Sequence, residues 1–244
     1  MRLESYAQEF EDLFLFSMLS TVDKGFYIDV GANDPTADSV TKFFYDRGWH
    51  GINVEPLKDR CKQLEEMRPR DINLCIGLGA EHGSSILYDL DTLATFKQDV
   101  AKNSLKSIEI PDDVEKFKNA ESTEIFTLTE IFNEYCSKNQ PIHFCKIDVE
   151  GFEKEVLLGV KNWHEFRPWI FCIEAVIPMT ETPCFEDWEY ILLENGYQLA
   201  FMYGINRYYV DSQKKHLSKT LQESLGFLKQ FEVKVARMMP VSFK

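Results

Sequence analysis

The run Phe26-Tyr27-Ile28-Asp29-Val30, passing straight into Gly31-Ala32-Asn33, limits this chain more than any other feature. It is too short and too apolar for a surface helix. It reads as a strand buried on both faces, the position of a central strand in a parallel sheet covered by helices. Gly31 permits a close backbone approach to a ligand. Asp29 stands at the strand's end, where open α/β sheets bind their ligands.

The same alternation recurs downstream. Gly51–Val54, Ile72–Ile76, His143–Val149 and Trp169–Val176 read as further strands, and Ser85–Tyr88 as an edge-like one. Helical patterns follow over 38–47, 58–67, 129–138, 153–160 and 185–195. Two last strands, 197–202 and 207–210, flank Tyr203-Gly204-Ile205-Asn206, a hairpin by its turn chemistry. Parallel strands with crossover helices, closed by an antiparallel hairpin, differ from an all-parallel dehydrogenase domain. An amphipathic helix is expected over 5–20. The polar stretch 89–122 interrupts the sheet pattern and reads as a lid, in which Phe96 and Phe117 could stack on a sugar. One domain over 1–211 and an extension over 212–244 are expected.

The chain carries 40 Asp and Glu against 27 Lys and Arg, a net charge of −13. So acidic a surface argues against nucleic acid as a partner. The extension reverses the sign, with seven Lys and Arg against two Glu. Its Leu217, Leu221, Leu225 and Leu228 recur at helical spacing, so a helix is expected there. That helix has three possible destinations: its own domain, a second copy or biosynthetic partner, or a membrane surface. No apolar run is long enough to span a bilayer, and the opening MRLESYAQEFED has no signal-peptide pattern. The six cysteines form no CxxC and read as reduced thiols of a cytoplasmic protein. The five histidines lack zinc spacing.

Four places could carry chemistry. The first is Asp29-Val30-Gly31-Ala32-Asn33, which lacks the three glycines of a pyrophosphate cradle and has Pro35 where the helix would begin. It suits a nucleoside with a cationic or neutral tail. The second is Glu55, ending the next strand, where an acid accepts hydrogen bonds from ribose hydroxyls. The third is Lys146-Ile147-Asp148-Val149-Glu150-Gly151-Phe152-Glu153. Here Asp148 is the leading candidate for a general base or acceptor-orienting group, Glu150 is a second choice, and Glu153 reads as an acid at a helix start. The fourth is Glu174 at the end of Phe171-Cys172-Ile173, another second choice for catalysis; a structural pairing with Lys146 or Arg167 is the alternative. A divalent cation on these carboxylates is the less favoured reading, because no Asp-Asp pair follows at the later strand.

FYIDVGAN, GWHGINVEP, HFCKIDVEGFEKEVLLG and IFCIE together resemble the successive blocks of the FkbM family of S-adenosylmethionine-dependent O-methyltransferases. SYAQEFED resembles the opening of a branch tied to surface-polysaccharide genes. The resemblance spans roughly residues 5–211. It implies a class I methyltransferase, Rossmann-like fold: a seven-stranded, mostly parallel sheet with an antiparallel last strand and helices on both faces. It implies that Asp29, Gly31 and Asn33 line the methionine end of S-adenosylmethionine and that Glu55 takes the ribose. Gly77 stands where the family usually has a small Ala beside the adenine. Asp148 falls nearest the transferring methyl. The implied reaction is methyl transfer to a hydroxyl, often on a sugar; the acceptor expected here is a sugar of a surface polysaccharide or glycan. An NAD-binding oxidoreductase and a degenerate methyltransferase-fold interaction module are the rival readings.

Overall fold

The structure is a computed structural model that describes residues 2–89, 94–101 and 120–236. Its largest sheet has seven strands in the order Tyr197–Tyr203, Asn206–Asp211, Ile170–Glu174, Phe144–Ile147, Phe26–Val30, His50–Val54 and Ile72–Leu74. The strands from 170–174 through 72–74 run parallel, while 206–211 is antiparallel to both of its neighbours. The hairpin read from Tyr203-Gly204 is therefore present. The third parallel strand stops at Leu74, two residues short of the expected Ile76.

The buried strands alternate in the face they serve, as a period of two requires. Ile28, Val30, Cys145, Ile147, Phe171 and Ile173 pack on one side, with Leu128, Ile131, Val156 and Leu192 from the helices Leu128–Tyr135, Glu153–Leu158 and Glu189–Glu194. Tyr27, Phe144, Ile170 and Cys172 point the other way, toward Phe14 of helix Glu11–Met18 and Phe43 and Phe44 of helix Lys42–Tyr45. Covering both faces explains why these strands read as continuous apolar runs. The helix at 128 starts where Thr127 accepts from Glu130 N–H at 3.2 Å and Glu130 accepts from Thr127 N–H at 2.7 Å.

A second sheet of four strands, Gly77–Leu78, Ala120–Phe126, Gly83–Asp89 and Ala94–Thr95, stands apart from the first. Ser85–Tyr88, expected at the edge of the main sheet, belongs to this smaller one. The ends of the stretch expected as a lid enter this sheet at Asp89, Ala94–Thr95 and Ala120–Ser122. Residues 90–93 and 102–119 of that stretch, with Phe117, lie outside the described residues.

The helix expected over 5–20 begins only at Glu11, because Arg2–Ser5 is a strand paired in parallel with Glu232–Val235. The tail likewise differs from a single helix. Residues 212–217 form a 3₁₀ turn, and Thr220 and Glu223 make a second capping box that starts a new helix, Leu221–Leu228. The strand at 232–235 follows. The apolar side of the tail helix faces its own chain: Ser17 Oγ donates to Ser224 Oγ at 2.9 Å, Lys219 donates to Ser17 O, and Phe227 and Phe231 meet Phe16. Of the leucine stripe seen in the sequence, Leu217 and Leu228 are buried in the same core as Phe14, and Leu221 and Leu225 pack partly buried against it. Among the described residues no helix is long and apolar enough to cross a membrane.

Candidate functional site

Three neighbouring strands bring Glu55, Asp29 and Asp148 to one edge of the sheet, since 50–54, 26–30 and 144–147 lie side by side and end together. Strand 170–174 adds Glu174 beside Asp148, one register step beyond the Ile173–Ile147 pair. The backbone at this edge is unusual. Gly31 has φ +76° and sits so close to the neighbouring strand that a Cβ would lie 1.9 Å from Asp148 O. Asn33 and Glu150 also hold left-handed conformations, at φ 49° and 54°, which non-glycine residues adopt only when their surroundings impose it.

The carboxylates differ in how they are held. Glu55 is buried and accepts from Asn33 N–H and Leu57 N–H, both at 2.8 Å. It therefore ties the loop after the first strand to the start of the next helix. Burial still raises its proton affinity above the ordinary carboxylate value. Asp29 is only 1 % exposed. Its Oδ2 accepts from Thr41 Oγ1 at 2.8 Å, and its Oδ1 has no hydrogen-bond partner. Gly77 is buried in the smaller sheet, and a Cβ there would meet the Phe96 ring at 2.5 Å. Phe96 packs over that glycine and against Phe152.

The residue that joins these groups was missed as a site residue in the sequence. Lys146 Nζ lies 3.5 Å from Asp29 Oδ1 and 3.4 Å from Asp148 Oδ2, and donates to Gly31 O at 2.7 Å. Its signal was present: a lysine inside an apolar strand must find a charge partner. Those partners are Asp29 and Asp148, not Glu174. Arg167, the other cation considered for Glu174, pairs with Asp211. Glu174 is buried with Oε2 unpartnered, and burial beside Asp148 and Glu150 pushes its proton affinity up to about 11. Burial and the neighbouring acids favour its protonated form. Glu153 accepts from Val149 and Gly151 N–H, both at 3.1 Å, and so closes the turn after the strand. Glu11, also unmarked in the sequence, is buried nearby and accepts from Asn206 Nδ2 at 2.8 Å. Among the described residues no three His, Cys, Asp or Glu side chains are placed to hold a metal ion.

So many buried acids make stability depend on pH. Burial pushes Glu11 and Glu153 up to about 7 and Glu150 up to about 8 from 4.5. In this range the folded protein binds more protons than the unfolded chain, so stability falls as pH rises through these values. His143, lowered by burial from 6.5 to about 4, opposes the trend only below pH 6.5. Urea unfolding should therefore show higher stability at pH 6.5 than at 8.5, by ~1–3 kcal/mol in all, since each extra bound proton is worth ~1.4 kcal/mol per pH unit and the excess fades above the folded values. A flat profile over that window would mean that these carboxyls are ionised in the folded protein.

The family model described as Methyltransferase FkbM domain matches residues 29–199. No curated protein matches the chain. The matched span begins at Asp29 and includes Glu55, Asp148 and Glu174.

Proposed function

The chain belongs to the FkbM methyltransferase family, and from that premise we propose that it is an S-adenosylmethionine-dependent O-methyltransferase acting on a sugar hydroxyl of a glycan. The observation that carries this reading is the convergence of Glu55, Asp29 and Asp148 at the ends of three adjacent strands. The strand order, with its antiparallel penultimate strand, supports a class I methyltransferase arrangement. The six free cysteines accord with a reducing, cytoplasmic setting.

The residues present fit the cofactor. Asp29 Oδ1 is a buried acceptor without a hydrogen-bond partner. Glu55 uses one lone pair on each of two N–H groups, and a carboxylate has about four, so capacity remains for a ribose diol. Glu55 would hold the ribose, and the Gly31–Asn33 loop would border the amino-acid end. When bound, the cofactor would supply an activated methyl on a sulfonium, with a neutral thioether as the leaving group.

The protein's part is to orient the acceptor oxygen and receive its proton as the C–O bond forms. Asp148 is about one-third exposed and reaches the surface of the site, unlike Asp29. In this reading its carboxylate accepts the hydroxyl proton. Lys146, 3.4 Å away, holds that carboxylate, and Glu174 ends the adjacent strand beside it. Glu150, raised to about 8, adds a group that can hold a proton near neutral pH.

Calorimetry with S-adenosylhomocysteine and with NAD tests the cofactor. Micromolar binding of the first alone is expected, and preference for NAD would return the oxidoreductase alternative. Binding without any methyl transfer to glycan would favour the degenerate module instead. Glu55→Ala, with folding verified by its thermal transition, should weaken S-adenosylhomocysteine binding by ~1.5–3 kcal/mol, the worth of a charge-assisted hydrogen bond. Unchanged affinity would take Glu55 out of the cofactor site.

A further inference from the structure

The described residues contain a cavity of about 470 Å³, within the roughly 300–1,000 Å³ range of small-molecule sites. Asp29 and Glu55 do not line it. Its walls come from the turn after strand 144–147, from the loop after strand 170–174, and from residues 97–100. In the sheet order, the strand that ends at Asp148 lies between the strands of Asp29 and Glu55 and the strand of this loop. Asp148 does not line the cavity either, but Gly151 and Glu153, on the turn that follows it, do, so the cavity lies on the flank of Asp148 away from Glu55.

The lining has two characters. Ile177, Pro178 and Met179 form an apolar wall. Ile177 and Met179 are 44 % and 58 % exposed, and Met179 has φ 61°, a left-handed conformation that costs a methionine free energy. The described lining also carries the acids Asp99, Glu186 and Asp187, with Glu153 buried and bonded to the turn at 149–151, against Lys97 and Lys154. Lys97 is itself drawn to Glu155, 3.8 Å away. A sugar ring matches both characters, because its C–H face is apolar and its hydroxyls donate to carboxylates. A ring bearing a carboxylate or phosphate would meet like charge here.

Resting on the methyl-transfer reading above, we propose that this cavity is the acceptor site and that it selects a neutral or amino-substituted sugar ring over an anionic one. The loop over 176–187, rather than the stretch 89–122 alone, then sets acceptor specificity. Glu186 and Asp187 discriminate by charge without touching the reacting atoms.

Saturation-transfer NMR on the full chain, with and without S-adenosylhomocysteine, tests this using three trisaccharides: a glucose trimer, a glucosamine trimer and a galacturonate trimer. The glucose or glucosamine trimer should bind at least ~tenfold tighter than the galacturonate trimer. The double variant Glu186→Lys/Asp187→Lys should cut that preference by about tenfold, while calorimetry shows unchanged S-adenosylhomocysteine affinity. Met179→Asp should weaken the glucose trimer. Equal or tighter binding of galacturonate by the wild type, no binding of any trimer, or indifference to all three substitutions would overturn the proposal. Failure of S-adenosylhomocysteine to bind, with the trimer preferences intact, would instead overturn the methyl-transfer reading and leave the cavity as a sugar site.

Discussion

Asp148→Asn is expected to lower methyl transfer by ~10²–10⁴-fold, the usual contribution of a positioned acid–base group, with S-adenosylhomocysteine affinity changed far less. The substitution keeps the side chain's shape, so the turn at Gly31, which packs on Asp148 O, should survive. What it removes is the negative charge that, in the proposed reaction, receives the hydroxyl proton. Labelled methyl transfer to the best-bound trisaccharide, alongside calorimetry, separates the two effects. Turnover near that of the wild type would mean that the proton leaves by another route, with Glu150 the next group to test. A matching loss of cofactor affinity would place Asp148 in cofactor binding instead.

Lys146→Met should destabilise the protein by ~3–5 kcal/mol, the cost of removing one partner from a buried ion pair. Asp29 would keep its bond to Thr41 but lose the cation 3.5 Å from its other oxygen. Gly31 O would lose its donor as well. The variant should recover part of the loss on acidification, because protonating Asp29 removes the uncompensated charge. Adding Asp29→Asn to Lys146→Met should restore stability in the same way at neutral pH. Urea unfolding of the two variants decides the point. A single variant within about 0.5 kcal/mol of the wild type, the range of ordinary surface changes, would show that the three-way contact is energetically idle.

The two substitutions concern features of different legibility. Asp148, Glu55 and Asp29 could be found in the sequence because each stands at or next to the end of a short, mostly apolar run, and such a run is a local signal. Strand ends in a parallel sheet share one edge, so finding the runs brought the three carboxylates together before any contact was known. The closing hairpin was legible for the same reason, from four turn residues between two alternating segments. Local chemistry even contained the break in the tail, where Thr220-x-x-Glu223 starts a new helix, although the leucine spacing alone suggested one continuous element.

Other features depend on residues far apart in the chain. Arg2–Ser5 becomes a strand because Glu232–Val235 lies beside it, and neither segment reveals the other's presence. Glu11 becomes a buried carboxyl through Asn206, on the last strand. Lys146 was read only as one of two cations for Glu174, Arg167 being the other; its actual partners, Asp29 and Asp148, were set by strand register. Glu174 reads identically in sequence whether it is an ionised base or a neutral acid; burial next to Asp148 shifts it toward the neutral form. What the sequence by itself determined was the succession of buried strands and the acids at their ends, since a buried strand is written in consecutive residues. The pairing of those acids with protons, with Lys146 and with one another was left to tertiary structure, because electrostatic energy depends on distance and desolvation, and neither exists until the strands are side by side.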